Sequence, residues 1–150
     1  MIKVLFGGGF DIFHVMHLRS IEAAKNEGDY LIVMVNGDEL MKGYKKKVPT
    51  FNEDERAEII RSLRPVDEVV IKDTFDDMKY LKEHDVDVFV TGEEWRDTKT
   101  EEMAYMKAKG GRVVFLPYFN AEFMQKFKDS AREMVANKKR TLCENCHRLI

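Results

Sequence analysis

Gly7-Gly8-Gly9-Phe10-Asp11-Ile12-Phe13-His14-Val15-Met16-His17 follows a short apolar run, Ile2 to Phe6, and leads into a stretch of helix formers. A run this short that ends in glycine reads as a buried parallel strand rather than part of a helix. In open α/β sheets ligands bind at the carboxyl ends of strands, and these glycines stand at such an end. Glycine there lets phosphate oxygens approach backbone N–H groups, and the helix N-terminus behind it favours negative charge. Two generic phosphate-binding patterns fail on spacing. A dinucleotide fingerprint starting at Gly7 needs glycine where Ile12 stands, and the Gly-Lys-Ser/Thr of a P-loop does not occur.

His14 and His17 are three residues apart at the start of the helix, so their rings can share one face. Imidazole donors so placed can bind phosphate oxygens and stabilise the charge that builds in a transition state. A charge-assisted hydrogen bond contributes roughly 1.5–3 kcal/mol, so two together matter to rate. The plainer alternative is a pair of capping or core histidines. A metal site is a third reading, but no carboxylate or further histidine stands where it would complete the ligands.

Outward from this stretch the chain alternates strand and helix. His17 to Asn26 is helical and stops near Gly28; Tyr30 to Val35 is a second buried strand, turning at Asn36-Gly37-Asp38. Glu39 to Pro49, with Lys42, Lys45, Lys46 and Lys47, reads as a mobile basic loop. Asn52 reads as an N-cap, with acidic Glu53, Asp54 and Glu55 suiting the positive end of the helix dipole and Pro65 marking its end. Strands at Val69–Ile71, Val86–Val90 and Arg112–Leu116 alternate with helices at Phe75–His84 and Thr100–Lys109. The pattern predicts a Rossmann-like, parallel five-stranded sheet with helices on both faces. Phe119, Phe123, Phe127 and Ala131 recur every four residues, which predicts a C-terminal amphipathic helix ending near Asn137, packed on the sheet or on a partner subunit.

The expected domain is therefore residues 1–137, followed by a tail, 138–150. Its 150 residues, 44% apolar and 35% charged, suit one globular domain with its own core. A net charge of −2 points to neither nucleic acid nor a membrane surface as partner. With no export signal or spanning run, a cytoplasmic location is the default. Cys143 and Cys146 cannot frame the fold. Cys143-Glu144-Asn145-Cys146-His147 fits the text of a haem attachment motif, but a shared zinc site, a redox pair or incidental thiols suit the context better.

Gly8 to His17 resembles the G-T-F-D-x-x-H-x-G-H signature of the cytidylyltransferase-like nucleotidyltransferase superfamily. Glu55-Arg56, ahead of Val66-Asp67-Glu68-Val69, resembles its E-R…V-D-E-V segment. Asp87 to Trp95 resembles the D-V-F-V-x-G-D-D-W stretch of glycerol-3-phosphate cytidylyltransferases, and Gly110 to Pro117 the final strand of heptose-phosphate adenylyltransferases. The resemblance spans about residues 1–117. It implies that Gly8, Gly9, Phe10, His14 and His17 hold a nucleoside triphosphate, with Mg²⁺ accompanying the nucleotide through its phosphates. It implies in-line attack of an acceptor phosphate on the α-phosphorus, with pyrophosphate leaving. A lysine after the second strand is implied to reach the phosphates, Lys42 first because Gly43 follows it, with Lys45 and Lys46 as alternatives. Arg56 is implied near the active site, and Gly92, Glu93, Glu94 and Trp95 near the nucleotide. Asp11 and Asp38 are expected to stabilise turns first and touch ligand second. The expected donor and acceptor are CTP and a polyol phosphate of the glycerol 3-phosphate type. ATP with a sugar phosphate is the runner-up, and a homodimer is expected because relatives commonly form one.

Two positions depart from the pattern. Met16 stands where the family has glycine, and Glu122-Phe123-Met124-Gln125 replaces the Ile-Ser-Ser/Thr-Thr that opens the last helix. A carboxylate and two apolar groups cannot replace hydroxyl donors. Phosphate binding is then completed otherwise, with Lys126 or Lys128 as candidates, or the chain is a nucleotide-binding regulatory module without catalysis.

Overall fold

A computed structural model describes residues 1–46, 48–117 and 121–137, the side chains of 121–124 and 135–137 excepted. The chain divides into two compact units, Met1–Phe119 and Asn120–Ile150. In the first, strands β1 (Lys3–Gly8), β2 (Tyr30–Asn36), β3 (Glu68–Lys72), β4 (Val88–Gly92) and β5 (Arg112–Leu116) form one sheet in the order β3-β2-β1-β4-β5. Every pairing is parallel, with Val4 opposite both Leu31 and Val88. The helices of this unit are α1 (Val15–Lys25), α2 (Asp38–Lys45), α3 (Glu53–Arg61), α4 (Asp77–Glu83) and α5 (Thr100–Ala108).

Successive strand residues face opposite sides, and both sides are apolar. Val4, Phe6, Leu31, Val33, Val35, Val88 and Val90 form one core with Ile21 and Ala24 of α1 and Ala57 and Ile60 of α3. Leu5, Ile32, Met34 and Phe89 form the other with Tyr80 and Leu81 of α4 and Met106 of α5. Helices thus cover both faces, as the strand–helix alternation predicts. The chain runs outward through β1, β2 and β3, then returns to lay β4 on the other side of β1. Strand order reverses between β1 and β4, so their carboxyl ends flank a topological switch point, where such sheets bind ligands.

One expectation changes. The supposed mobile loop at Glu39–Pro49 is helical from Asp38 to Lys45. Leu40 and Met41 are buried beneath it, Asp38 and Glu39 occupy its first turn, and Lys42 and Lys45 its last. That charge order suits the helix dipole, and Lys46 closes the helix in the left-handed region at φ 52°. Basic residues concealed the buried pair.

In the second unit α6 spans Ala121–Asn137. Phe127 and Met134 are exposed in the structure. The side chains of Glu122, Phe123 and Met124, together with Phe119, Cys143, Cys146 and His147, lie outside the described residues.

Candidate active site

The first turn of α1 is built by the histidines themselves. His14 is the N-cap, and its Nδ1 accepts the N–H of Met16 at 3.2 Å. His17, at the third helical position, accepts the N–H of His14 on its own Nδ1 at 3.3 Å. This is a capping box with two imidazoles in place of the usual hydroxyl and carboxylate. The rings stack with centroids 3.8 Å apart and planes 22° from parallel. Because each Nδ1 is an acceptor, the proton of each neutral ring sits on Nε2, leaving Nε2–H as the donor. One nitrogen of each ring thus serves the helix, and Nε2 of His14 is buried.

Ahead of this cap the turn is strained. Phe10 and Ile12 adopt φ of 52° and 51°. Left-handed backbone at a β-branched residue is a true outlier, and such residues cost about 1–3 kcal/mol each. Their surroundings hold them. The carboxylate of Asp11 accepts the N–H of Thr50 at 3.0 Å and of Phe51 at 3.1 Å. The Phe10 ring lies over Gly8, where an added Cβ would stand 3.0 Å from it, and meets Phe6 and His17 edge-on.

Arg56 supplies the strongest tie. It is fully buried on α3. Its Nη1 donates to the carbonyls of Gly9 at 2.7 Å and Asn36 at 2.6 Å, and Nε to that of Phe51 at 2.9 Å. Nη2 donates to Asp38 Oδ1 at 2.7 Å. One guanidinium thus joins the turn after β1, the end of β2 and the approach to α3. Arg56 lies against the turn after β1, with its described bonds directed into the protein. Asp38 has a similar internal duty, holding Arg56.

The lysines are sorted by the helix that sequence reading missed. Lys42 donates to Glu39 at 2.8 Å on the exposed side of α2, and that bond raises its ammonium above the ordinary lysine range. Met41 and Lys45, one turn apart, face the glycine turn. A Cβ added at Gly9 would lie 3.0 Å from Met41 Cε and 3.5 Å from Lys45 Nζ. Lys45 is thus the lysine brought over the turn. A helical reading of 38–45 from buried Leu40 and Met41 would have selected it.

Across the switch point, β4 ends at Gly92 and a single 3₁₀ turn, Glu93–Trp95, follows. Glu94 folds back so that its carboxylate fills the space a side chain at Gly92 would need, 2.2 Å from the position of a Cβ. Glu93 accepts from Nε and Nη2 of Arg96, at 2.6 and 2.7 Å, which holds its carboxyl below the usual glutamate range. Trp95 is half-exposed and meets Tyr44 of α2 edge-on, with centroids 6.4 Å apart. Met16 is half-buried in the first turn of α1. Among the described residues no three His, Cys, Asp or Glu gather as a metal site, so these residues offer no cage for Mg²⁺. No helix among them is long and apolar enough to cross a membrane.

A strained glycine turn, a paired-histidine cap and a lysine above them at a parallel-sheet switch point define a phosphate-handling α/β protein. Comparison makes this specific. The cytidylyltransferase-like family model matches residues 5–139, and the chain belongs to that family. It is 37% identical over 120 residues to a FAD synthase of Thermococcus kodakarensis, covering 78% of this chain and 80% of that protein. It is 36% identical over 96 residues to the glycerol-3-phosphate cytidylyltransferase of Bacillus subtilis, covering 63% and 74%. Among solved structures, a lipopolysaccharide core biosynthesis protein from Thermoplasma volcanium superposes with a TM-score of 0.67 at 28% identity. That match covers 79% of this chain and 97% of the other. The protein is a nucleotidyltransferase.

Proposed function

We propose that residues 1–137 transfer a nucleoside monophosphate from a nucleoside triphosphate to the phosphate of a small acceptor, releasing pyrophosphate. The observation that carries this reading is the histidine capping box, which commits Nδ1 of both rings to the helix start and places the His17 ring against Phe10 of the glycine turn. The acceptor phosphate attacks the α-phosphorus in line, and the bond to the β-phosphate oxygen breaks. His14, His17 and the backbone N–H groups of the turn stabilise the charge passing to pyrophosphate. Lys45 takes the lysine role first given to Lys42. Asp11 and Arg56 keep the turn in its strained form and are positioning residues. Mg²⁺ enters with the nucleotide, bound through its phosphates, and no step is assigned to it.

ATP with a flavin phosphate is the donor–acceptor pair favoured here. It rests on the likeness to FAD synthases and on aromatic side chains exposed beside Lys45. CTP with glycerol 3-phosphate is the second reading, favoured by the Gly92-Glu93-Glu94-Trp95 stretch and the Bacillus subtilis relative. Pyrophosphate release with Mg²⁺ and ATP or CTP, against FMN, glycerol 3-phosphate and sugar phosphates, tests both. Release with one nucleotide and one acceptor class decides the pair. Nucleotide binding with no release from any acceptor would refute catalysis and leave a regulatory module.

A further inference from the structure

Two large apolar side chains of α6 stand in solvent: Phe127 is 48% exposed and Met134 is 63% exposed. They are one heptad apart in the sequence, so only about 20° separates them around the helix and they share one stripe. Ser130 lies between them on that stripe, which gives the three residues the a, d and a positions of a heptad. Isolated exposed apolar residues need no explanation. Two on one stripe, in a helix whose neighbouring residues are mostly charged, form a seam of the kind that helices bury against one another.

The charges beside the seam select what covers it. On the far side of the helix, Asp129 accepts from Gln125 Nε2 at 2.9 Å and lies 3.4 Å from Arg132 Nη1, so these groups support the helix itself. At the border of the seam, Lys126 immediately precedes Phe127 and Glu133 immediately precedes Met134. Both are exposed, both occupy g positions on the same edge, and they are opposite in charge. The other edge carries Ala131 at an e position. In a parallel pair of helices each g edge faces an e edge, and the charges of Lys126 and Glu133 would meet the uncharged side of Ala131. In an antiparallel pair the two g edges face each other. Lys126 then meets Glu133 of the second copy, and twofold symmetry repeats the ion pair. The same register sets Phe127 over Ser130 of the second copy, a large side chain against a small one.

We propose that α6 is a self-association surface on which two copies of this chain pair antiparallel through Phe127 and Met134, with Lys126 of each copy against Glu133 of the other. A second copy is the occupant because the charged edge is complementary to its own reverse. Short helices are marginal by themselves, so a seam of this length gives a reversible dimer rather than an obligate one. The pairing uses no residue of the glycine turn and does not depend on nucleotidyl transfer.

The test is sedimentation velocity of the whole chain from about 1 to 100 µM, a range that brackets a reversible dimer. A reducing agent is present so that Cys143 and Cys146 cannot link copies covalently. Wild type should pass from monomer to dimer across the range, and Phe127→Glu should stay monomeric throughout. Lys126→Glu and Glu133→Lys should each raise the dimer Kd at least about tenfold, because two attractive contacts become two repulsive ones. Mixing these two single variants should restore association, since each then supplies the charge that the other lacks, and the double variant should dimerise like wild type. Both charge changes are at exposed positions, and circular dichroism confirms that every variant folds. A wild-type chain that stays monomeric at every concentration overturns the proposal. A dimer that survives Phe127→Glu overturns it too, because the copies then meet elsewhere. Single charge variants that dimerise like wild type, or a mixture that associates no better than its components, overturn the antiparallel register.

Discussion

Replacing Arg56 by alanine should destabilise the first unit more than any surface change. The guanidinium is fully buried and donates to three backbone carbonyls and to Asp38. Deleting one partner of a buried charged pair costs about 3–5 kcal/mol. Asp38, 27% exposed, can turn to water, which favours the lower end of that range. The three carbonyls have less recourse, and each unsatisfied buried acceptor costs about 1–3 kcal/mol unless water enters the cavity. A loss of about 4 kcal/mol balances these effects, a large share of the roughly 5–15 kcal/mol that holds a domain folded. In urea, with a slope of about 2 kcal/mol/M, the midpoint should fall by about 2 M. Trp95 is the single tryptophan, so its fluorescence can be followed beside far-ultraviolet circular dichroism. Arg56→Lys keeps the charge but not the planar fork that reaches four acceptors, and should lose about half as much. A loss below about 1 kcal/mol for the alanine variant, or lysine performing as well as arginine, would show that Arg56 does not hold the strand ends together.

Three further outcomes are expected. His14→Asn keeps an N-cap acceptor and should remain within about 1 kcal/mol of wild type in stability, whereas its rate of pyrophosphate release should fall by about 10–100-fold with loss of the Nε2–H donor; equal rates would remove His14 from the transfer step. Lys45→Ala should reduce kcat/KM for the nucleotide at least about tenfold, and Lys42→Ala should change it little; steady-state kinetics giving the reverse order would return the phosphate role to Lys42. For Asp67, burial pushes the carboxyl upward, but the Leu31 N–H and the Lys25 ammonium outweigh it and hold the group below its ordinary value. Its stabilising effect is therefore present above the unfolded carboxylate value of about 3.9 and is lost as pH falls through the lower folded value. Asp67→Asn should be less stable than wild type at pH 7, with the difference closing toward pH 2 in urea titrations. A difference independent of pH would contradict the ion pair's role.

Much of the fold was legible because its strands are apolar on both sides. Residues 30–35 and 86–90 have no polar face to disguise them, and Asn52 announced the N-cap that the structure contains. The helix at Asp38–Lys45 was not legible as such. Four lysines within 42–47 suggested solvent, and the burial of Leu40 and Met41 depends on what lies beneath them. The site divides the same way. Its glycines and histidines sit within one stretch of eleven residues, whereas Lys45, the lysine near Gly9, comes from a later helix.

The sequence by itself determined the strand–helix alternation, the glycine turn and the histidine pair, because periodicity and turn chemistry are local properties of the chain. Tertiary structure decided which nitrogens the histidines keep for the helix, which carbonyls Arg56 gathers and which aromatic rings meet beyond the sheet. Those outcomes turn on distances between segments tens of residues apart. Strand order brings Phe75 and Trp95 to opposite sides of Tyr44, and no pattern within any one segment records that meeting.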